Sequence, residues 1–242
     1  MQESVALLGD HVALYQVHSA TLDSGFLDAD VLQELGELKS ARGWKLGLTL
    51  SGTAQADTLR EALRRAPGLF DCVQATYNVL EQSAGEVRAL RRCDVAGVSI
   101  VWPAARSDPP VARLCAPARD PARARICPPQ ALDEAGEAGI SVIIKEAMAN
   151  GRVLQNGPLR ETAAALGVPP DALAMGAAMA LGCAPVVLSG AATRAHARSN
   201  AQAPQAMEAL QRCAPDALER LLVECKEDSA RYWKDRAALD WN

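Results

Sequence analysis

A chain of 242 residues, 49% hydrophobic and 22% charged, has the bulk for one domain of the α/β barrel size class, and neither disorder nor a fibrous repeat fits that composition. Its formal net charge of -4 argues against a broad basic footprint for nucleic acid. No run of about 18 apolar residues offers a membrane-spanning helix, and the opening Met1–Gly9 segment carries an acid where a secretory leader would be basic.

The first expected strand is Val12–His18, an apolar run bounded by Gly9-Asp10 and Ser19. Asp28–Lys39 places Val31, Leu32, Leu35 and Leu38 at helical spacing, with acids early, Lys39 late, and Gly43 as the stop. Lys45–Leu50 reads as a strand, Thr53–Arg65 as an amphipathic helix and Phe70–Thr76 as a third strand. Further along, Ile140–Lys145 reads as a strand, and Leu159–Leu166 and Pro170–Leu181 as helices, the latter with proline in its first turn. A short strand at Val186–Leu188 follows.

Continuous apolar strands alternating with amphipathic helices imply a parallel sheet covered by helices, which leaves a barrel or an open doubly wound sheet. The usual open-sheet nucleotide fingerprints, G-x-G-x-x-G and G-x-x-x-x-G-K-[ST], are missing. One stretch breaks the rhythm: residues 101–130 hold seven of the 14 prolines, with Arg106, Arg113, Arg119, Arg123 and Arg125. That density forbids a helix or a central strand, so 86–130 is expected to be an irregular insertion in a single domain spanning 1–242, with a brief extended piece at 98–102. The seven cysteines form no C-x-x-C pair, which removes the zinc-ribbon and redox-motif readings and fits reduced thiols in the cytoplasm.

Five segments carry chemistry at successive strand ends: LYQVHSATLDSG at 14–25, GLTLSG at 47–52, VQATYNVLE at 73–81, IIKEAMANGR at 143–152 and LSGAATRAHARSN at 188–200. In order and spacing they resemble the aldo/keto reductases, over nearly all of the chain except 86–130 and about the last 25 residues. The resemblance implies a (β/α)8 barrel with its chemistry at the C-terminal mouth of the strands. It further implies that the first strand here corresponds to the family's fourth, so that the fold is an incomplete barrel of strands four to eight. Its implied activity is hydride transfer between NAD(P)H and an aldehyde or ketone, a small-molecule carbonyl substrate.

Residue by residue, His18 matches the histidine that orients the substrate carbonyl, its other reading being a structural histidine after a strand. Thr49 and Leu50 fall where the family has Ser-Asn; with Gln74, the threonine matches the clamp on the nicotinamide carboxamide, whereas Leu50 cannot hydrogen-bond. Alternatively, Gln74 satisfies backbone groups inside the barrel. Lys145, Glu146, Met148 and Gly151 align with the turn that wraps the pyrophosphate, Lys145 replacing an aromatic residue. Gly190, Ala191, Thr193, His196 and Asn200 resemble the adenosine-binding turn, where NADP is the implied cofactor and NAD is also possible, since the family's Lys-Ser and Arg are Gly190-Ala191 and His196 here. No metal is expected.

The family's proton-donor tyrosine, with its Lys and Asp, comes from a segment before strand four that this chain does not contain. Tyr15, Tyr77 and Tyr232 do not match its motif. General acid help of this kind contributes about 10²–10⁴-fold, so impaired turnover is expected. Two open sheet edges are expected to favour self-association. The competing readings are a non-catalytic remnant serving as a dinucleotide-binding or interaction module, and an open-sheet binding protein in which His18 and Gln74 are structural.

Overall fold

The computed structural model describes residues 2–85, 131–213 and 217–239. The segment expected to be an irregular insertion, 86–130, lies outside the described residues, and with it the extended piece expected at 98–102.

Helix α1 (Gln2–Leu8) and a 3-10 turn at Gly9–His11 lead into β1 (Leu14–Ala20). The strand begins two residues later than its apolar pattern predicts, because the Val12 amide closes the preceding turn on the Gly9 carbonyl at 3.5 Å. α2 (Ala29–Arg42) ends on Gly43, which adopts φ 66° and returns its amide to the Lys39 carbonyl, as the sequence predicts. β2 (Lys45–Leu50) has the predicted bounds; α3 (Gln55–Arg65) starts two residues late and β3 (Cys72–Thr76) likewise. Phe70 and Asp71 instead form the entry to β3, where the Asp71 carboxylate takes the Leu46 amide at 2.9 Å and pairs with Lys39 at 2.9 Å.

After α4 (Ala131–Glu137) come β4 (Ser141–Lys145), α5 (Gly157–Leu166), α6 (Pro170–Met179) and β5 (Val186–Val187). Four helices complete the described chain: α7 (Arg194–Asn200), α8 (Ala203–Cys213), α9 (Ala217–Cys225) and α10 (Ser229–Ala237). Of these elements, α1, α4, α8 and α9 have no counterpart in the sequence-based expectations. Asn156 caps α5 by accepting the Leu159 amide, a cap the sequence offers in Asn156-Gly157-Pro158.

The strands form one sheet in the order β1-β2-β3-β4-β5, every pair parallel. Sequential order without reversal is the winding of a barrel, whereas an open doubly wound sheet reverses its order at a switch point. This decides between the two architectures that pattern alone leaves open.

Alternation gives the sheet two faces. Leu46, Leu48, Leu50, Val73, Ala75, Val142 and Ile144 join the core with Leu35, Leu38, Leu59, Ala62, Leu132 and Met175 from the helices. A second core of Val79, Leu80, Val153, Leu159, Leu173, Ala206, Leu210, Leu221 and Tyr232 binds the C-terminal helices to the ends of β3 and β4. There α6 and α8 pack so closely that a Cβ on Gly176 would stand 2.7 Å from the Ala203 carbonyl oxygen. No described helix is long and apolar enough to cross a membrane.

Candidate functional site

The face opposite the helices carries Gln16 and His18 of β1, Gly47 and Thr49 of β2, Gln74 of β3 and Lys145 of β4. The register aligns Gln16 with Gly47, Thr49 with Gln74, and Thr76 with Lys145. Gly47 is needed here, because a Cβ would meet the Gln16 side chain at 2.9 Å and the Cys72 carbonyl oxygen at 3.1 Å. The Gln16 side chain lies across that space, and the Thr49 hydroxyl faces two amide oxygens, Gln74 Oε1 at 3.1 Å and Gln16 Oε1 at 3.3 Å. Both side-chain amide nitrogens are thereby turned away from Thr49, and Gln74 Nε2 has no hydrogen-bond partner among the described residues.

At the end of β1 the register slips. Val17 opposes Leu48 and Ala20 opposes Leu50, so His18 and Ser19 together face Thr49, with Ser19 at φ 52°. This bulge turns Ala20 to the helix side and leaves His18 exposed at the C-terminal mouth. His18 Nδ1 lies 3.0 Å from Ser19 Oγ. When the hydroxyl donates, Nδ1 is the acceptor and Nε2 carries the proton as a donor.

Lys145 is half-buried and has no ion pair among the described residues. Burial lowers its pKa, with Arg236 acting in the same direction and the Glu146 carboxylate opposing. The turn beyond it has left-handed backbone at Glu146 (φ 57°), Ala149 (φ 45°), Asn150 (φ 55°) and Gly151 (φ 87°). Amides of Ala149 and Gly151 close on the carbonyls of Glu146 and Met148, each at 2.8 Å. Met148 packs between the two cores. Only Gly151 tolerates such a backbone without cost, so three non-glycine residues must be held there by their surroundings.

The holding contacts come from two directions. Asn78 Nδ2 donates to the Glu146 carbonyl at 2.9 Å and to Tyr232 Oη at 3.1 Å, while its Oδ1 accepts the amides of Leu80 and Glu81. Arg236 of α10 grips the Glu146 carboxylate through Nε and Nη2, the shortest contact being 2.6 Å. Arg152 lies over the Tyr232 ring, 4.6 Å from its centre, and pairs with Glu227 at 2.7 Å.

Beyond β5, the turn at Ser189–Thr193 is open, and a Cβ on Gly190 would meet nothing within 4 Å. Ala191 follows in this turn, Thr193 caps α7 by accepting the His196 amide at 3.1 Å, and the His196 ring is exposed. Asn200 is buried, and its amide is used within the protein: its oxygen accepts from Ser189 Oγ at 2.9 Å, and its nitrogen reaches the His196 carbonyl at 3.3 Å and Asp171 Oδ2 at 3.2 Å.

The structure thus brings His18, Thr49, Gln74 and Lys145 onto one face at consecutive strand ends, with Glu146, Met148 and Gly151 in the next turn. Leu50, where the resemblance expects a hydrogen-bonding residue, is wholly buried on the other face. None of the three tyrosines is presented on the His18 face. Tyr15 stacks on Trp44 at 6.1 Å between ring centres, Tyr77 is buried, and burial drives the Tyr232 hydroxyl far above the ordinary tyrosine range. A cavity of about 470 Å³ lies between Thr53, Asp57, Ser83 and Asp228, and no sequence-predicted site residue lines it. No cluster of metal-ligating side chains occurs among the described residues. Sequence reasoning missed Asn78 and Arg236; the spacing of Tyr232, Trp233 and Arg236 marks an amphipathic helix, but nothing in it points to a partner 90 residues away.

No protein-family model and no curated protein matches the chain. Among solved structures it is similar to a protein provisionally assigned as a 2,5-diketo-D-gluconic acid reductase B, at 20% identity and a TM-score of 0.51, over 89% of this chain and 62% of that one. It is also similar to a thermostable aldo-keto reductase solved with the inhibitor epalrestat, at 15% identity and a TM-score of 0.51, over 88% of this chain and 64% of that one. The chain therefore spans less than two thirds of these proteins. At such identities the likeness establishes the fold: an incomplete (β/α)8 barrel of the kind found in aldo-keto reductases.

Proposed function

We propose that the chain belongs to an aldo/keto reductase-like oxidoreductase that moves hydride between NAD(P)H and an aldehyde or ketone. The observation that carries this reading is the gathering of His18, Thr49, Gln74 and Lys145 on one face at the C-terminal ends of β1 to β4. In a parallel barrel that end is where substrates meet strand-end loops.

The donor set fits a nicotinamide dinucleotide. Gln74 has an amide nitrogen free for a carboxamide oxygen, because Thr49 occupies its acceptor side. Lys145, without an ion pair among the described residues, supplies positive charge for a phosphate or carboxamide. Glu146, Met148 and Gly151 shape the pyrophosphate turn, and Gly190, Ala191, Thr193 and His196 form the adenosine end, braced by the buried Asn200, whose amide is held by Ser189, Asp171 and the His196 carbonyl. NADP is the preferred form and NAD the alternative, with exposed Arg194 and Arg198 as the cations near a 2′-phosphate. When bound, the dinucleotide supplies the hydride.

The protein's part is electrostatic. Hydride arrival at the carbonyl carbon leaves negative charge on oxygen, and a donor held at that oxygen, His18 Nε2–H, lowers the barrier; one such donor contributes roughly 10²–10³-fold. Leu50 removes one arm of the carboxamide clamp, which weakens cofactor orientation.

A second reading, a module that binds dinucleotide without turnover, is favoured by one observation: Tyr15, Tyr77 and Tyr232 all lie away from the His18 face. Four free thiols among the described residues fit a cytoplasmic setting. Among the described residues the outer sides of β1 and β5 are unpaired, which supports self-association.

Oxidation of NADPH and NADH with a panel of small aldehydes and ketones, wild type against His18→Ala, tests the enzyme. Turnover that falls about 100-fold in the variant supports it. Dinucleotide binding with no turnover selects the module, and no dinucleotide binding defeats both readings.

A further inference from the structure

We infer that Arg236, on α10, is a positioning residue for the turn after β4, holding Glu146 in its left-handed backbone and cancelling its carboxylate charge where dinucleotide phosphates are received. The inference rests on the reading above that the turn from Lys145 to Gly151 meets the pyrophosphate.

Glu146 is a poor residue for that place by two criteria. Its φ of 57° is one that L side chains rarely adopt, and its carboxylate repels a phosphate. Both difficulties are answered by the same neighbours. Asn78 fixes the Glu146 carbonyl at 2.9 Å, and Arg236 fixes the carboxylate through two nitrogens, with the Glu146 side chain only 12% exposed. Asn78 also holds Tyr232 Oη, one turn of α10 before Arg236, so the helix and the turn are joined at two points. Arg152, on the far side of the turn, stacks on the same tyrosine. A planar guanidinium gripping both oxygens fixes direction as well as charge, which a lysine does not.

The charges make the functional consequence specific. Lys145 and Arg236 are positive and Glu146 is negative, so these three side chains together carry one net positive charge. Without Arg236 the sum is zero, and the Glu146 carboxylate loses the guanidinium that grips it. In a half-buried setting screening is weak, so an anionic ligand senses the change.

The test compares wild type, R236Q, E146Q and the double variant E146Q/R236Q in two measurements: NADPH affinity by fluorescence titration, and amide hydrogen exchange of residues 145–151 without ligand. R236Q is expected to exchange faster in this turn and to bind NADPH about tenfold more weakly or worse. The double variant, in which the carboxylate is gone, recovers most of that affinity. A general loss of structure gives no such recovery. If R236Q does not fold, R236K takes its place, with affinity between wild type and the expected R236Q value. Wild-type binding with R236Q equally tight and equally protected overturns the inference while sparing the proposed function, and a double variant no better than R236Q overturns the charge role. If wild type binds no NADPH, the proposed function falls, and unchanged exchange in R236Q then overturns the positioning role on its own.

Discussion

Gln55 and Thr76 exchange two hydrogen bonds where β3 ends: Gln55 Nε2 donates to the Thr76 carbonyl at 3.2 Å, and its Oε1 accepts the Thr76 amide at 2.9 Å. Both residues are fully buried, and the same nitrogen also reaches Ser83 Oγ at 3.3 Å. A side chain from α3 thus substitutes for a neighbouring strand, and Gln74, two residues earlier, inherits its position. Replacing Gln55 by alanine strands two backbone groups in the core. The expected loss is about 2–3 kcal/mol of stability, read as a lower urea midpoint with an unchanged slope. A midpoint within error of wild type counts against this role.

The entry to β3 has a pH-dependent fastening in Asp71. Burial raises the cost of its charge, but the Leu46 amide and the Lys39 ammonium outweigh it, and the carboxyl ends below its ordinary value. A pKa lower in the folded than in the unfolded chain gives stability that is fully present above the unfolded value, about 3.9, and is lost as pH falls through the folded one. Wild type should therefore lose stability below about pH 4 more steeply than Asp71→Asn. Parallel denaturation curves for the two proteins between pH 6 and pH 3 would remove the basis for this claim.

Lys145 offers a second pH test, in the opposite direction. Burial lowers its pKa, with Arg236 adding to that and Glu146 resisting. Its positive charge is therefore lost as pH rises, before an ordinary lysine, near 10.4, would lose its own. NADPH affinity should decline through that alkaline range in wild type and stay flat in Lys145→Met, which binds weakly throughout. An equal decline in both proteins assigns the effect elsewhere.

Gly176 separates two effects of known size. Alanine gains up to about 1 kcal/mol in helix propensity over glycine, yet its Cβ would stand 2.7 Å from the Ala203 carbonyl oxygen and 3.0 Å from the Met207 amide nitrogen. Backbone cannot yield as a flexible side chain does, and overpacking typically costs about 1–3 kcal/mol. Gly176→Ala is expected to lower the melting temperature, by loosening the α6–α8 contact. A rise would show that propensity prevails.

The sheet edges predict behaviour in solution. β1 pairs only with β2, and β5 only with β4, among the described residues. Light scattering across a concentration series should find oligomers, and the melting temperature should depend on concentration. A monomer with a sharp melt independent of concentration would refute edge pairing.

Much of this architecture was legible in the sequence because parallel, two-sided strands are apolar throughout. Lys45–Leu50 needed no correction, and Gly43 marked the end of α2 by chirality alone. Strand starts were less legible. At β1 and β3, turns and side-chain contacts from distant residues, such as Asp71 with Leu46, displace the first strand residue by two. Within the site, His18 and Gln74 were singled out by the resemblance to the aldo/keto reductases, whereas nothing in the sequence singled out Asn78 and Arg236. Their significance lies in contacts between distant residues, Arg236 with Glu146 across 90 residues of chain and Asn78 with Tyr232 across 154, and periodicity in one sequence carries no trace of such pairs. The amphipathic α8 and α9 also escaped, their short apolar stripes being interrupted by polar residues.

The extra residue in β1 has an evolutionary corollary. Because His18 and Ser19 share one partner position, deleting either restores simple alternation and leaves Ala20 opposite Leu50. The chain from Thr21 to the start of α2 would then leave the strand in the same register, and only the side chains presented opposite Thr49 would change. A single codon gained or lost at this point is thus a route by which such a scaffold exchanges the side chains at its rim while the strand beyond stays in register.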